Sequence, residues 1–372
     1  MGEVRTEIRT LLICDDIPSS SYGTGQRLLA IKKALDTLGE CRILHLTNGE
    51  KPAELAFNDY IAPLPISKNA SRFQYILRNL TFSSYRYDSN YNELFEIIMR
   101  EFSFDVVVCS FLRNSPVVPK IKIPCLLDID ALDEPQGIVT RLIWPITKLM
   151  IRKRGGDFEK IFVIRPRDAY IFSESKKKDI VFLPGFSATA LPHLTSTKRD
   201  NYVLMVGSMN WLPNKEAVDF LITGNLPGLL NSRGWKLKLV GSGTDRYRGI
   251  DGVVAEGFVD DLNAVYASSG VVICPIWSGS GANIKLAEAI QHGRAVISTK
   301  HAAEAYSSLL EPQRDFLVAD NKLDFIRATL RVIDDQLLRG SLEKHAQKVA
   351  KNNFTQSHFT AIIANAIRQS VN

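Results

Sequence analysis

No apolar run in this chain reaches the roughly 20 residues needed to cross a bilayer, which excludes an integral helical membrane protein. Met1 to Thr10 are polar and charged, so no secretory leader is expected either. Cysteine is sparse. Cys14, Cys41, Cys109, Cys125 and Cys274 all fall in apolar, strand-like runs, with neither CxxC nor Cys/His spacing. That excludes a disulfide framework and a zinc site, and suits reduced core thiols of a cytoplasmic protein. The six histidines form no ligand pattern: His193 lies in a linker-like stretch and His292 at the end of a helical pattern, so both read as structural or exposed. Gly-Lys-Ser and Gly-Lys-Thr are missing, which removes a Walker A loop, and Gly241 to Arg246 (GSGTDR) has only the first two glycines of the dinucleotide fingerprint. Repeats of solenoid period and low-complexity tracts are absent as well.

What is present is a long run of short apolar segments alternating with helical patterns. The 372 residues, 45% of them hydrophobic, exceed what one core usually supports, so two domains are expected. The alternation implies the α/β class, with parallel sheets covered on both faces. In the first half, strands are expected at Thr10 to Cys14, Cys41 to Leu46, Asp105 to Cys109, Pro124 to Ile129, Lys160 to Ile164 and Ile180 to Leu183. Helices are expected near Gly25 to Leu38, Tyr91 to Glu101 and Gly137 to Arg154. A second series follows at Tyr202 to Val206, Trp235 to Val240, Val253 to Phe258, Val271 to Ile276 and Ala295 to Ser298, with helices from about Asn214, Leu262 and Asn283. The expected division is an N-terminal domain 1–187, a linker 188–200, a C-terminal domain 201–353, and a final helix 354–372 that returns to the N-terminal domain.

Trp277 to Thr299 places a glycine-rich turn directly before a helix that leads into a strand. Backbone N–H groups at such a helix start attract anions, and Gly279, Ser280 and Gly281 form the turn. Lys285, one turn in, would neutralise a phosphate, and Glu288, on the same helical face, would accept hydrogen bonds from ribose hydroxyls. An ordinary strand-turn-helix junction with glycines that permit tight packing is the competing reading. Because ligands bind beyond the carboxyl ends of strands in doubly wound sheets, the turns at Gly207-Ser208, Gly241 to Gly243, Gly257-Phe258 and Gly279 to Gly281 should line one rim. Val206 to Lys215 (VGSMNWLPNK) supplies a second helix start there, so two helix N-termini and two lysines would face one anion.

Read together and in order, VGSMNWLPN, KLVGSG, EGFVDDL and SGSGANIKLAEAIQHGRAVIST resemble the retaining glycosyltransferases of the GT-B fold named glycosyl transferases group 1. The resemblance is specific over about Tyr202 to Thr299 and architectural before it. It implies two facing Rossmann-like doubly wound domains, a nucleotide-diphosphate sugar as donor substrate in the second, and a saccharide or lipid-linked glycan acceptor in the first. Neither cofactor, metal nor nucleic acid is implied. In that reading Glu288, Lys285, Gly281, Gly279, Lys215 and Ser208 bind the donor, and the Gly257-Phe258-Val259 turn lies against the base. Glu288 matches the second glutamate of the family's E-x7-E motif, and Ser280 stands eight positions earlier where the first is usual.

In the first domain, the loop carrying Gly23 and Gly25 resembles the family's segment that approaches phosphate and acceptor, although a tight turn alone would explain those glycines. Asp130 stands where many relatives carry a histidine that contacts the donor sugar. Asp130 and Ser280 are therefore the catalytic candidates, and a capping role for Asp128, Asp130 and Asp133 is the alternative. Asp128-Ile129-Asp130 also matches the short D-x-D pattern of metal-dependent transferases of another fold, which two α/β series argue against. Arg165 and Arg167 are further candidates without a distinct role. Arg141 to Gly156 mixes large apolar and basic residues, as either an amphipathic helix at the inner face of a membrane or a solvated helix with one buried face. A sugar-nucleotide epimerase and a non-catalytic nucleotide-binding module are the alternative functions.

Overall fold

The computed structural model describes residues 7–19, 23–47, 59–62, 89–118, 121–130, 132, 138–172, 179–190, 199–279 and 281–371. The chain divides into two compact units, Met1–Pro184 together with Gln356–Asn372, and Gly185–Thr355. Ser280 and Asp133 lie outside the described residues, as does most of the 188–200 stretch, including His193.

Among the described residues, unit 1 is built on a seven-stranded parallel sheet: β1 (Thr10–Cys14), β2 (Cys41–Leu46), β3 (Tyr60–Ala62), β4 (Val106–Ser110), β5 (Cys125–Ile129), β6 (Lys160–Val163) and β7 (Ile180–Phe182). Its order is β3-β2-β1-β4-β5-β6-β7. The central strands TLLIC, VVVCS and CLLDI are buried along their whole length, because parallel strands covered on both faces have no solvent side for polar residues to occupy. Helices α1 (Gly23–Asp36), α2 (Ser89–Phe102) and α3 (Ile138–Gly155) follow β1, β3 and β5. Gly23 and Gly25 form the first turn of α1 itself rather than a loop, and neither has a positive φ, so a tight turn does not account for them.

Unit 2 carries a six-stranded parallel sheet: β8 (Asp200–Val206), β9 (Lys236–Val240), β10 (Val253–Gly257), β11 (Ser269–Cys274), β12 (Ala295–Thr299) and β13 (Leu317–Ala319), in the order β10-β9-β8-β11-β12-β13. Its helices are α4 (Leu212–Thr223), α5 (Leu226–Asn231), α6 (Leu262–Ser268), α7 (Ile284–Gln291), α8 (Lys300–Ala303), α9 (Lys322–Asp334) and α10 (Gln336–Asn353). Four of them start with a side-chain cap: Asp261, Thr299, Asn321 and Asp335 accept from the N–H of Ala264, Ala302, Asp324 and Leu338, which satisfies donors that the first turn leaves unpaired. In both sheets the order reverses beside the first strand, so each unit has one topological switch point, between β1 and β4 and between β8 and β11.

The last helix, α11 (Gln356–Val371), belongs to unit 1. Phe359, Ile363 and Ile367 recur at helical spacing as a buried stripe, and Gln356 Nε2 donates to Ala30 O of α1 at 3.0 Å. The chain therefore enters unit 2 at Gly185 and leaves it after Thr355. Within unit 2 the Gln291 side chain, at the end of α7, holds both places. It accepts from the Ser187 N–H at 3.0 Å, and its Nε2 donates to Ser187 O at 3.0 Å and Phe354 O at 3.3 Å.

Candidate functional site

The glycine turns of unit 2 are hydrogen-bonded into one rim. Met209 N–H donates to Ser242 O at 2.8 Å, and Gly241 N–H to Gly257 O at 2.7 Å, so the turns after β8, β9 and β10 are tied in sequence. A β-carbon on Gly241, whose φ is +133°, would sit 2.3 Å from Gly207 O, so no other residue lets these two turns approach. The turn after β11 joins from the other side of the switch point. Gly279 (φ +103°) lies under Trp211, where an added β-carbon would be 2.6 Å from the indole ring.

The residue that meets Lys285 across the switch point is Asn214. Lys285 Nζ donates to Asn214 Oδ1 at 2.5 Å, while Asn214 Nδ2 donates to Ser208 O at 2.9 Å. Trp211 closes the group, with Lys285 Nζ 5.9 Å from its ring centroid. Lys215 is exposed, one helical position round from the buried Asn214, so it is Asn214 and not Lys215 that contacts Lys285. Burial holds the Lys285 ammonium down to about 8, against the opposing pull of the Glu288 charge. Its neighbour Cys274, desolvated, is pushed up to about 12 and is inert as a nucleophile.

At the start of α7, the Ile284 N–H donates to Ala282 O and the Leu286 N–H to Asn283 O, both at 2.9 Å. Two first-turn donors are thus already used, and the Lys285 N–H between them has no backbone acceptor among the described residues. Asn283 makes no side-chain cap, which leaves the helix dipole uncompensated by a local acceptor. Gly281, with φ +80°, sets the turn into this helix.

Glu288 is buried one turn further on, and its Oε2 accepts from Tyr266 Oη at 2.8 Å. Burial and the Glu288 charge together hold the Tyr266 phenol well above its usual range, so it stays a donor. Tyr266 stacks on His292 with ring centroids 5.1 Å apart, and His292 Nδ1 lies 2.7 Å from Glu288 O, where it can only be the donor. Of the two readings for His292, structural or exposed, the buried structural one holds.

In the turn expected to read a base, the Gly257 N–H already donates to Thr244 Oγ1 at 3.0 Å and its carbonyl accepts from Gly241. Gly257 shapes the turn, and Phe258, 62% exposed, is the residue that it presents, followed by the partly buried Val259. Ser208 Oγ accepts from the Asn210 N–H at 3.3 Å.

Unit 1 gathers polar groups at its own switch point, and most were missed in the sequence. Asp15, directly after β1, accepts from Arg113 Nε at 2.7 Å, Arg113 Nη2 at 3.0 Å and Asn114 Nδ2 at 2.8 Å. Phe111, between β4 and these residues, has φ +70°, a strained value for an aromatic side chain, and stacks under Arg113. The signal was the Asp15-Asp16 pair at a strand's carboxyl end. Asp128 is fully buried and paired with Arg27, whose Nη1 also donates to Leu183 O. A committed Asp128 leaves the D-x-D pattern without its first ligand. Asp130 follows β5 and is half-buried, with partners of its own. Arg165 is buried and bonded to Asp168 and Leu132 O, a structural role in place of the site role considered for it.

Residues 200–335 match the family model described as "Glycosyl transferases group 1". No curated protein sequence matches the chain. Among solved structures, a glycosyltransferase from Rickettsia africae is similar over 98% of this chain and 99% of its own at 13% identity, with a TM-score of 0.66. Sucrose-phosphate synthase from Thermosynechococcus elongatus is similar over 98% and 99% at 16% identity, TM-score 0.67. HepE from Anabaena, solved in complex with UDP, is similar over 97% and 100% at 11% identity, TM-score 0.67. The two parallel α/β sheets with their helices are thus the GT-B fold.

Proposed function

We propose that the chain is a glycosyltransferase that moves a sugar from a nucleotide-diphosphate donor to a saccharide or lipid-linked glycan acceptor, with retention at the sugar carbon. The observation that carries this reading is the Lys285–Asn214 contact at the switch point of the very segment that matches the group 1 family model. The departing diphosphate would take the place of Asn214 Oδ1 as the acceptor for Lys285, over the turn formed by Gly279 and Gly281 and the start of α7. Charge developing on the leaving oxygens is then met by a desolvated ammonium and a helix dipole, both fixed before the reaction begins. Glu288, held by Tyr266, would accept from ribose hydroxyls. Phe258 and Val259 would pack against the base, and Ser208 would cover the phosphates.

Asp130 and Ser280 remain the catalytic candidates, the first for a sugar hydroxyl or the acceptor proton and the second for the donor sugar. Nothing in the reading requires a metal, since the diphosphate charge has protein partners. HepE was solved with UDP, which makes UDP-sugars the first donors to try. Nucleotide release should be followed from UDP-, GDP- and dTDP-sugars with mixed glycan acceptors. Acceptor-dependent release supports transfer, epimerised donor without release would indicate an epimerase, and binding without turnover a non-catalytic module.

A further inference from the structure

Helix α3 exposes the wrong residues to water. Leu142, Ile146 and Leu149 are 74%, 57% and 63% exposed, three of the ten large hydrophobic side chains that stand out among the described residues. At about 100° per residue they fall within about 60° of arc, opposite the face on which Trp144, Ile151 and Gly155 turn toward unit 1. A surface helix normally keeps such a stripe for the core; here a second stripe points away from it. Beside α3, the 3₁₀ turn Pro166–Ile171 is tied to it by Arg152 Nε donating to Ile171 O, and it adds Tyr170, 72% exposed.

Charge identifies what covers this face. The helix sequence IVTRLIWPITKLMIRKRG contains five basic residues and no acidic one. Arg141, Lys148 and Arg152 line one flank of the apolar stripe, all exposed, and Lys153 ends it. Long basic side chains beside an apolar stripe place their charges at headgroup level while the aliphatic residues enter the acyl boundary, and Tyr170 supplies an amphipathic ring for the interface. No helix of the described residues is long and apolar enough to cross a membrane, so contact is with one leaflet. We infer that α3 and Tyr170 form a docking surface for an anionic lipid bilayer. This inference does not depend on the transfer reaction.

Co-sedimentation of the full chain with vesicles tests it. Binding is expected to equal parts of phosphatidylcholine and phosphatidylglycerol and not to phosphatidylcholine alone, and to weaken with added salt. Leu142→Gln, Ile146→Gln and Leu149→Gln together should abolish it. Arg141→Glu with Lys148→Glu should lower affinity roughly tenfold or more. All five positions are exposed, so circular dichroism and the melting temperature should match the parent, and the charge pair serves if the triple variant fails to fold. Equal binding to both vesicles, binding to neither, or binding unchanged in the variants overturns the inference. So does a dimer in sedimentation velocity that the triple variant converts to monomer, which would make the face an interface between copies.

Discussion

Lys285 Nζ and Asn214 Oδ1 lie 2.5 Å apart although 71 residues separate them in the chain. The contact joins the helix after β8 to the helix after β11, the two strands that flank the switch point of unit 2. A neutral amide oxygen is a weak partner for a desolvated ammonium, so the lysine gains most from an anion. Lys285→Met is expected to weaken UDP binding by roughly tenfold to a hundredfold, the loss of a charge-assisted hydrogen bond. Lys215→Ala, at an exposed position with no part in this contact, should leave affinity within about twofold. Isothermal titration with UDP distinguishes the two, and equal losses would return Lys215 to the site.

Proton linkage gives the same lysine a signature. Its folded value is lowered to about 8, so the ammonium is present below that pH and lost above it. An anionic ligand stabilises the charged form. Above the ionisation of the UDP phosphate, at about pH 6, affinity should therefore be flat between about pH 7 and 7.5 and fall as pH rises through 8, with proton uptake on binding near and above that value. Titration in buffers of different ionisation enthalpy measures the uptake, and Lys285→Met should abolish it.

Glu288→Gln keeps the shape and an acceptor oxygen for Tyr266 but removes the charge, so donor affinity should fall with little change in melting. Tyr266→Phe does the reverse. It leaves a buried carboxylate oxygen without its donor, at a cost of about 1–3 kcal/mol to unit 2, read as a lower denaturant midpoint. Loss of stability without loss of affinity in both variants would reduce Glu288 to a structural role.

Arg27 and Asp128 form a fully buried ion pair in unit 1. Arg27→Met or Asp128→Asn alone leaves an uncompensated polar group and should destabilise by about 3–5 kcal/mol, whereas replacing both with apolar residues of similar size should recover most of it. A urea double-mutant cycle measures the coupling.

Gly279→Ala combines a φ of +103° with a β-carbon 2.6 Å from the Trp211 ring. The indole must move, and with it the packing over Lys285. We expect donor affinity to drop roughly tenfold or more while global stability changes by about 1–2 kcal/mol, since the strain sits in a turn. An affinity equal to the parent would separate Trp211 from the site.

The sheets were legible because buried parallel strands read as unbroken apolar runs; TLLIC and CLLDI have no other use. Tyr60–Ala62 and Leu317–Ala319 were not, although Ile180–Phe182, another three-residue edge strand, was. Glycines that hold the rim together were visible as turn residues, yet Gly23, of the same type, begins a helix two residues before the expected start at Gly25. Asn214 escaped because an asparagine beside a helix start reads as a cap, and its real partner is remote in sequence. Lys215 drew notice only by its charge. The ion pair of Arg27 with Asp128, 101 residues apart, and the cluster at Asp15 needed the switch point of the first sheet to bring them together. Single residues announce chemistry in a sequence; their partners do not.

Gln291 stands at the opposite end of α7 from Lys285, and its amide grips Ser187 and Phe354, just inside the two points where the backbone enters and leaves unit 2. Eight residues of helix make a rod about 12 Å long. In mechanical terms the ligand end and both chain crossings share one lever arm, so an axial slide of α7 would reach the two crossings together. A nick in either crossing would also leave the unit tethered by the other, and limited proteolysis there would yield fragments that stay associated until the fold is lost.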